Sequence, residues 1–222
     1  MKQDILNFKF ENKKDFYVTS KNSLAFDLIQ KWPNWNNQFF FLYGPTKCGK
    51  TTICKIWQKK SKAIFLDKKK IEKFLNNTYK NHFNTHNNWI LDNADLFLKK
   101  KNDEKLLNLI NIIKEKKKSF LLMTSNVPPR QLPTKINDLL SRVSDSLVVQ
   151  VHEPDNLLLA NIIRKYLEER EINIEKKKID YLTNRIERSY KFAIKIAKKI
   201  DSESLESHSN ISFSFLKRIL EI

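Results

Sequence analysis

The chain has 222 residues, 41% hydrophobic and 30% charged, enough for one sizeable core with a small appendage and too apolar for a disordered tail. Its net charge is +17, yet 35 of the 42 basic residues are Lys, with 23 Asn, 23 Ile and only 2 Gly, the pattern of an AT-rich coding sequence. Solvated surface lysine therefore outweighs a dedicated nucleic-acid groove as the source of the charge. No apolar run approaches the roughly 20 residues of a membrane span. The charged and amide-rich start lacks the apolar stretch of a secretory signal, so a soluble, cytoplasmic protein is the expectation. Cys48 and Cys54, six apart, suggest reduced thiols.

Short apolar runs alternate with amphipathic ones in chain order. Strands are predicted at 38–43, 63–67, 89–92, 119–124 and 147–151, and helices at 22–31, 50–60, 69–76, 104–117 and 137–143. Strands without internal alternation, each separated by a helix, predict an α/β parallel sheet covered on both faces. Beyond Pro154 the pattern turns helical: Asp155 can cap a helix to about Arg170, followed by helices at 176–187, 189–200 and 213–220. A boundary is expected near residue 153. The Asn-rich stretch 76–88 reads as a flexible loop. Trp32-Pro33-Asn34-Trp35 reads as a helix stop packed on the sheet, and Phe213, Phe215 and Leu216 as core of the helical part. His82 and His86 lack the Glu of a zinc-binding helix.

The run Phe39 to Tyr43 leads into Gly44-Pro45-Thr46-Lys47-Cys48-Gly49-Lys50-Thr51-Thr52, which fits the phosphate-binding pattern GxxxxGK[ST] between a strand and a helix. Both glycines of the protein lie in it. In such a loop the backbone N–H groups face phosphate oxygens, Lys50 reaches the β and γ phosphates, and Thr51 binds Mg²⁺. Trp89-Ile90-Leu91-Asp92 supplies a carboxylate for the metal side at the end of a later strand. Asn93 follows where a water-polarising acid is usual, and an amide cannot accept a proton, so slow intrinsic hydrolysis is expected; Asp95 is read as one step too far to replace it. The next strand ends in Thr124-Ser125-Asn126, a polar side chain beside the γ-phosphate position. Arg142 and Arg188 complete the set.

Loop, metal carboxylate, strand-end polar residue and two arginines in this order resemble the AAA+ ATPases: a P-loop three-layer αβα sheet followed by a small helical lid. The details are similar to the bacterial initiator DnaA family, and especially to its short regulatory Hda branch. The segment from Phe16 through Val18 to Asn22 resembles the adenine-pocket entry motif, although Thr19 stands where glycine is usual. Asn126 takes the sensor 1 place, Asp138-Leu139-Leu140-Ser141-Arg142 resembles the arginine-finger segment, and Arg188 falls on the sensor 2 arginine. Gln3, Leu6 and Phe8 match a sliding-clamp peptide, with Asp4 replacing its first Leu. The chain ends soon after the lid, which favours the short branch over an initiator carrying a DNA-reading domain. The resemblance implies residues 1–12 as clamp-binding peptide, 13–153 as nucleotide-binding domain and 154–222 as lid. It implies bound ADP or ATP with Mg²⁺, docking on the DNA polymerase III sliding clamp, and stimulation of ATP hydrolysis on DnaA by Arg142 in trans. Catalytic roles would fall to Arg142, Asp92 and Asn126. DNA would be contacted only indirectly or weakly, and self-association stays open. The alternative is a self-sufficient AAA+ ATPase of helicase-loader or truncated-initiator type.

Overall fold

A computed structural model describes residues 18–75, 86–207 and 210–221. The described chain divides into two compact units, 22–152 and the helical segment from Glu153 onward, which takes in residues 18–21.

The larger unit is built on five parallel strands: β1 (Phe39–Tyr43), β2 (Ile64–Phe65), β3 (Asn88–Leu91), β4 (Phe120–Ser125) and β5 (Leu147–Gln150). Their order is β2-β3-β4-β1-β5, so β4 is central and β1 lies between it and β5, with Tyr43 opposite both Ser125 and Gln150. Side chains alternate across a strand. Phe39 and Phe41 enter one core with Trp89, Leu91, Leu121 and Met123. Phe40 and Leu42, fully buried too, face the opposite side. Both faces of β1 are thus apolar, which is why the run FFFLY shows no period of two.

Over the first face lie α4 (Ala94–Lys99), α5 (Asp103–Glu115) and α6 (Asn137–Ser144), contributing Phe97, Leu98, Leu106, Leu109, Ile110, Ile113, Leu139 and Val143, with α3 (Lys68–Leu75) adding Ile71. Each such side chain stabilises by about 1.5–3 kcal/mol when fully buried. On the other side, α1 (Ser23–Lys31) and α2 (Lys50–Ser61) meet a tryptophan cluster. Trp35 stacks on Trp57 at 5.2 Å and meets Phe40 edge-on at 5.0 Å, while its Nε1 donates to the Leu28 carbonyl at 2.6 Å. Trp32 meets Trp57 and Phe120 edge-on. The Trp-Pro-Asn-Trp segment is a helix stop packed on the sheet, as its composition predicts.

The helical unit contains α7 (Asn156–Glu168), α8 (Lys176–Thr183), α9 (Tyr190–Ser207) and α10 (Phe213–Leu220). Asp155 caps α7 by accepting from Leu158 N at 2.8 Å, and Ser212 caps α10 through Phe215 N at 3.1 Å. Leu159, Ile163, Leu182, Ala193, Ile200 and Leu216 form its core. An ion pair of 2.8 Å between Arg170 and Asp201 ties the end of α7 to α9.

Several sequence expectations need correction. The helix at 176–187 ends at Thr183, because Asn184 and Arg185 turn back to donate to Asp180 and Leu182 carbonyls. The strand at 63–67 shortens to two residues, and α4 was not anticipated. Asn88 belongs to β3 instead of a loop, its amide donating to the Ser61 carbonyl at 2.9 Å, whereas 76–85 lies outside the described residues. Phe213 is 47% exposed, since the inward stripe of α10 is Phe215, Leu216 and Ile219; it leans on Tyr181 at 5.5 Å instead.

Candidate functional site

The carboxyl ends of adjacent parallel strands form the usual ligand crevice of an open α/β sheet. Here three of them deliver polar side chains to one place. The loop leaving β1 carries Gly44 and runs into α2. Its first residue is fixed by contact: a Cβ on Gly44 would overlap the main-chain carbonyl oxygen of Val151, and Gly44 N donates to the Ser125 carbonyl at 3.2 Å. Gly49 is the N-cap of α2 with φ of 104°, a left-handed backbone that glycine adopts without steric cost. Lys47 takes φ of 65°. The loop thereby curls around the N-terminus of α2, where unsatisfied N–H groups and the helix dipole favour an anion.

Lys50 opens α2 and is only 5% exposed. Its ammonium donates to the Gly44 and Pro45 carbonyls, both at 2.7 Å, and to Asn126 Oδ1 at 3.2 Å. Thr51 Oγ1 donates to Asp92 Oδ2 at 2.8 Å. From β4, Thr124 Oγ1 donates to Asp92 Oδ1 at 2.5 Å and accepts from Asn93 N at 2.8 Å. One hydroxyl thus fixes the carboxylate and the turn after it. Asn93 has φ of 61°, which reverses the chain and starts α4. Asn126 Nδ2 then donates to Asp95 Oδ2 at 3.0 Å.

Of the residues singled out in sequence, Lys50, Thr51, Asp92 and Asn126 meet in this network. The hydroxyl of Thr51 and the carboxylate of Asp92 are hard oxygen donors of the kind that suits Mg²⁺ alongside phosphate oxygens and water. Burial pushes the Cys54 thiol well up, and the Asp92 charge adds to the rise while Lys50 opposes it; Cys54 therefore lies within electrostatic reach of the network from inside α2. Burial raises the Cys48 thiol too. Arg142 on α6 stands outside the network, its Nε donating to Asp138 Oδ1 at 2.9 Å. Arg188 lies in the turn before α9 of the helical unit and is exposed. Asn22 is buried and its carbonyl accepts from Phe26 N at 3.0 Å at the start of α1. Val18 is half-buried. Gln3, Leu6, Phe8 and Phe16 lie outside the described residues.

Two members of the network are not placed in it by the sequence: Thr124 reads there only as part of the strand end, and Asp95 as one step too far. Thr124 could have been found as the hydroxyl ending the apolar run Phe120 to Met123, two residues before Asn126. Asp95 is 3% exposed, and its signal is a carboxylate set among Ala94, Leu96, Phe97 and Leu98.

No protein-family model matches the chain. An uncharacterized protein of Haemophilus influenzae is 23% identical over 217 residues, covering 94% of this chain and 93% of its own. Among solved structures, domain III of the Thermotoga maritima replication initiation protein DnaA superposes with a TM-score of 0.72 at 17% identity, covering 93% of each chain. The chain has the AAA+ fold of DnaA. DnaA from Aquifex aeolicus bound to AMPPCP matches at TM-score 0.71 and 22% identity over 86% of this chain and 65% of that one. DnaA bound to AMPPCP and single-stranded DNA matches at 0.71 and 21% over 87% and 66%. The chain therefore spans about two thirds of those two initiators. The same AAA+ fold extends to the Thermotoga maritima RuvB Holliday junction branch migration motor, at TM-score 0.64 and 14% identity over 92% and 69%. No described helix is long and apolar enough to cross a membrane.

Proposed function

We propose that this chain binds ADP or ATP with Mg²⁺ through residues 44–52 and acts on replication initiation as a regulator of DnaA. The observation that carries the nucleotide reading is the convergence of Lys50, Thr51, Asp92 and Asn126 at the carboxyl edge of β1, β3 and β4, joined by hydrogen bonds of 2.8 to 3.2 Å. The binding of AMPPCP by DnaA structures of the same fold supports it. Main-chain N–H groups of Thr46, Cys48, Gly49 and Lys50 cradle the phosphates. The ammonium of Lys50 exchanges the Gly44 and Pro45 carbonyls for phosphate oxygens, a stronger charge-assisted pairing. Thr51 and Asp92 hold Mg²⁺, which neutralises phosphate charge when bound. Asn126 addresses the γ-phosphate, Arg188 reaches the phosphates from the lid, and Phe16, Val18 and Asn22 receive the base. Thr52 closes the first turn of α2. The segments act as a clamp-binding peptide at 1–12, a nucleotide domain at 13–153 and a lid at 154–222.

Asn93 offers no proton acceptor, so turnover by the chain itself is slow. The regulatory reading follows from that and from Arg142. Its ion pair with Asp138 is an i,i+4 surface pair, worth about 0.3–0.5 kcal/mol, so a phosphate of a partner displaces it at little cost. An arginine supplied in trans can accelerate hydrolysis by about 10³ to 10⁵. Gln3, Leu6 and Phe8 bring the protein to the sliding clamp, which couples that acceleration to clamp loading.

The test is single-turnover hydrolysis of ATP preloaded on cognate DnaA, with this protein added in the presence or absence of DNA-loaded clamp. Clamp-dependent acceleration that vanishes with Arg142→Ala supports the regulator. Turnover of this protein with ATP alone, without any effect on DnaA, replaces it with the self-sufficient ATPase.

A further inference from the structure

Asp95 is a buried carboxylate with no place in the reading above. One oxygen accepts from Asn126 Nδ2 at 3.0 Å, and the other has no hydrogen-bond partner among the described residues. An orphaned buried carboxylate oxygen is unfavourable for folding alone.

The chemistry of its one bond gives the reason. Asn126 has a carbonyl and an amino end that can exchange places by rotation. Lys50 is a donor only and touches the carbonyl end at 3.2 Å, while Asp95 Oδ2 accepts from the amino end at 3.0 Å. Both neighbours admit a single orientation of the amide. Of the two, Lys50 is shared with phosphate when nucleotide binds, whereas Asp95 bonds to Asn126 and to no other hydrogen-bond partner among the described residues. Asp95 lies on α4, started by the left-handed turn at Asn93, whose N–H is itself held by Thr124.

We infer that Asp95 is a positioning residue that locks the orientation and rotamer of Asn126, and so sets how strongly the pocket distinguishes a nucleoside triphosphate from a diphosphate. This rests on the nucleotide reading above. Asp95 acts through Asn126 and touches no ligand. A role confined to folding would change both affinities together; a role through Asn126 changes their ratio.

The experiment measures ATP and ADP affinities, each with Mg²⁺, by titration of the full-length chain and of Asp95→Ala, Asp95→Asn, Asn126→Ala and the double alanine variant. Loss of one orienting hydrogen bond should lower the ATP-to-ADP affinity ratio about tenfold in Asp95→Ala. Asp95→Asn retains an acceptor facing Asn126 and should recover most of the ratio. In the Asn126→Ala background, Asp95→Ala should produce no further fall, because the partner it acts through is gone. An unchanged ratio in Asp95→Ala, or additive losses in the double variant, overturns the inference while leaving Lys50-dependent binding intact. Absence of nucleotide binding by the unmodified chain, indistinguishable from Lys50→Ala, overturns the nucleotide reading and this inference with it. Should Asp95→Ala fail to fold, Asp95→Asn against Asn126→Ala carries the comparison: equal ratios for Asp95→Asn and Asn126→Ala count against the inference.

Discussion

Replacing Gly44 by alanine tests whether the loop is held by main-chain contact. The added methyl would overlap the Val151 carbonyl oxygen and lie 3.2 Å from Cys48 Sγ. Neither side can relax by changing a rotamer. Val151 N donates to the Tyr43 carbonyl at 2.8 Å, and Gly44 N to the Ser125 carbonyl at 3.2 Å, so relief requires moving the end of β5 off β1. Overpacking against yielding side chains costs about 1–3 kcal/mol. Here the upper end applies, and losing the Val151 hydrogen bond adds about 1 kcal/mol. A total of about 3–4 kcal/mol lowers Tm by about 10 °C in a chain of this size. Gly49→Ala is the comparison: its φ of 104° imposes a strain of about 1–2 kcal/mol without a required backbone overlap. Thermal unfolding followed by circular dichroism should rank the two accordingly, and titration with Mg-ADP should show the greater loss for Gly44→Ala. A Gly44→Ala protein that melts within about 2 °C of the parent, or no lower than Gly49→Ala, would refute the steric account.

Other substitutions probe separate links. Asp155→Ala removes the cap of α7 and should cost about 1 kcal/mol, with Asp155→Ser restoring most of it in the same melting assay. Lys62, the C-cap of α2, has φ of 56°; Lys62→Gly should raise stability by about 0.5–1 kcal/mol, read as a shift in urea midpoint at constant slope. Cys54 should resist a disulfide reagent at about pH 8 in the folded protein and react once urea unfolds it. Because burial raises its folded value well above the ordinary thiol range, the unfolded chain gives up this proton first. The Cys54 contribution is therefore complete below about pH 9 and declines as pH rises beyond it, which alkaline melts of Cys54→Ala against the parent would resolve.

The central sheet was legible because β1 and β4 are apolar on both faces, so their runs are continuous and their helices fall between them. The short helix α4 was not: six residues hold less than two turns of pattern, and its start depends on the left-handed turn at Asn93, which no local propensity announces. The overrun at Thr183 has a similar origin, since the stop there is made by Asn184 and Arg185 without the Gly or Pro that normally marks one. At the site, Lys50, Thr51, Asp92 and Asn126 were legible because the phosphate-loop pattern fixes spacing along the chain and strand ends fix the rest. Asp95 was not, because sequence distance from Asp92 gives no direction once the backbone reverses at Asn93. Position along the chain is informative within an element and loses meaning across a left-handed residue.

The scarcity of glycine makes the same point from the backbone side. Among the described residues, six other than glycine take positive φ: Lys47, Lys62, Asn93, Lys101, Lys118 and Glu171. At about 1–2 kcal/mol each, such positions are tolerable one at a time, and five of the six are exposed, so their side chains meet water instead of a neighbouring strand. Lysine serves where glycine is usual because only the torsion must be tolerated. At Gly44 the constraint is different in kind: the atom that would meet a Cβ is the main-chain oxygen of Val151, just past β5, and no side chain of any type removes that overlap. A composition that has drifted away from glycine elsewhere therefore keeps it where one backbone passes against another, and that place is the loop through which the proposed ligand would be held.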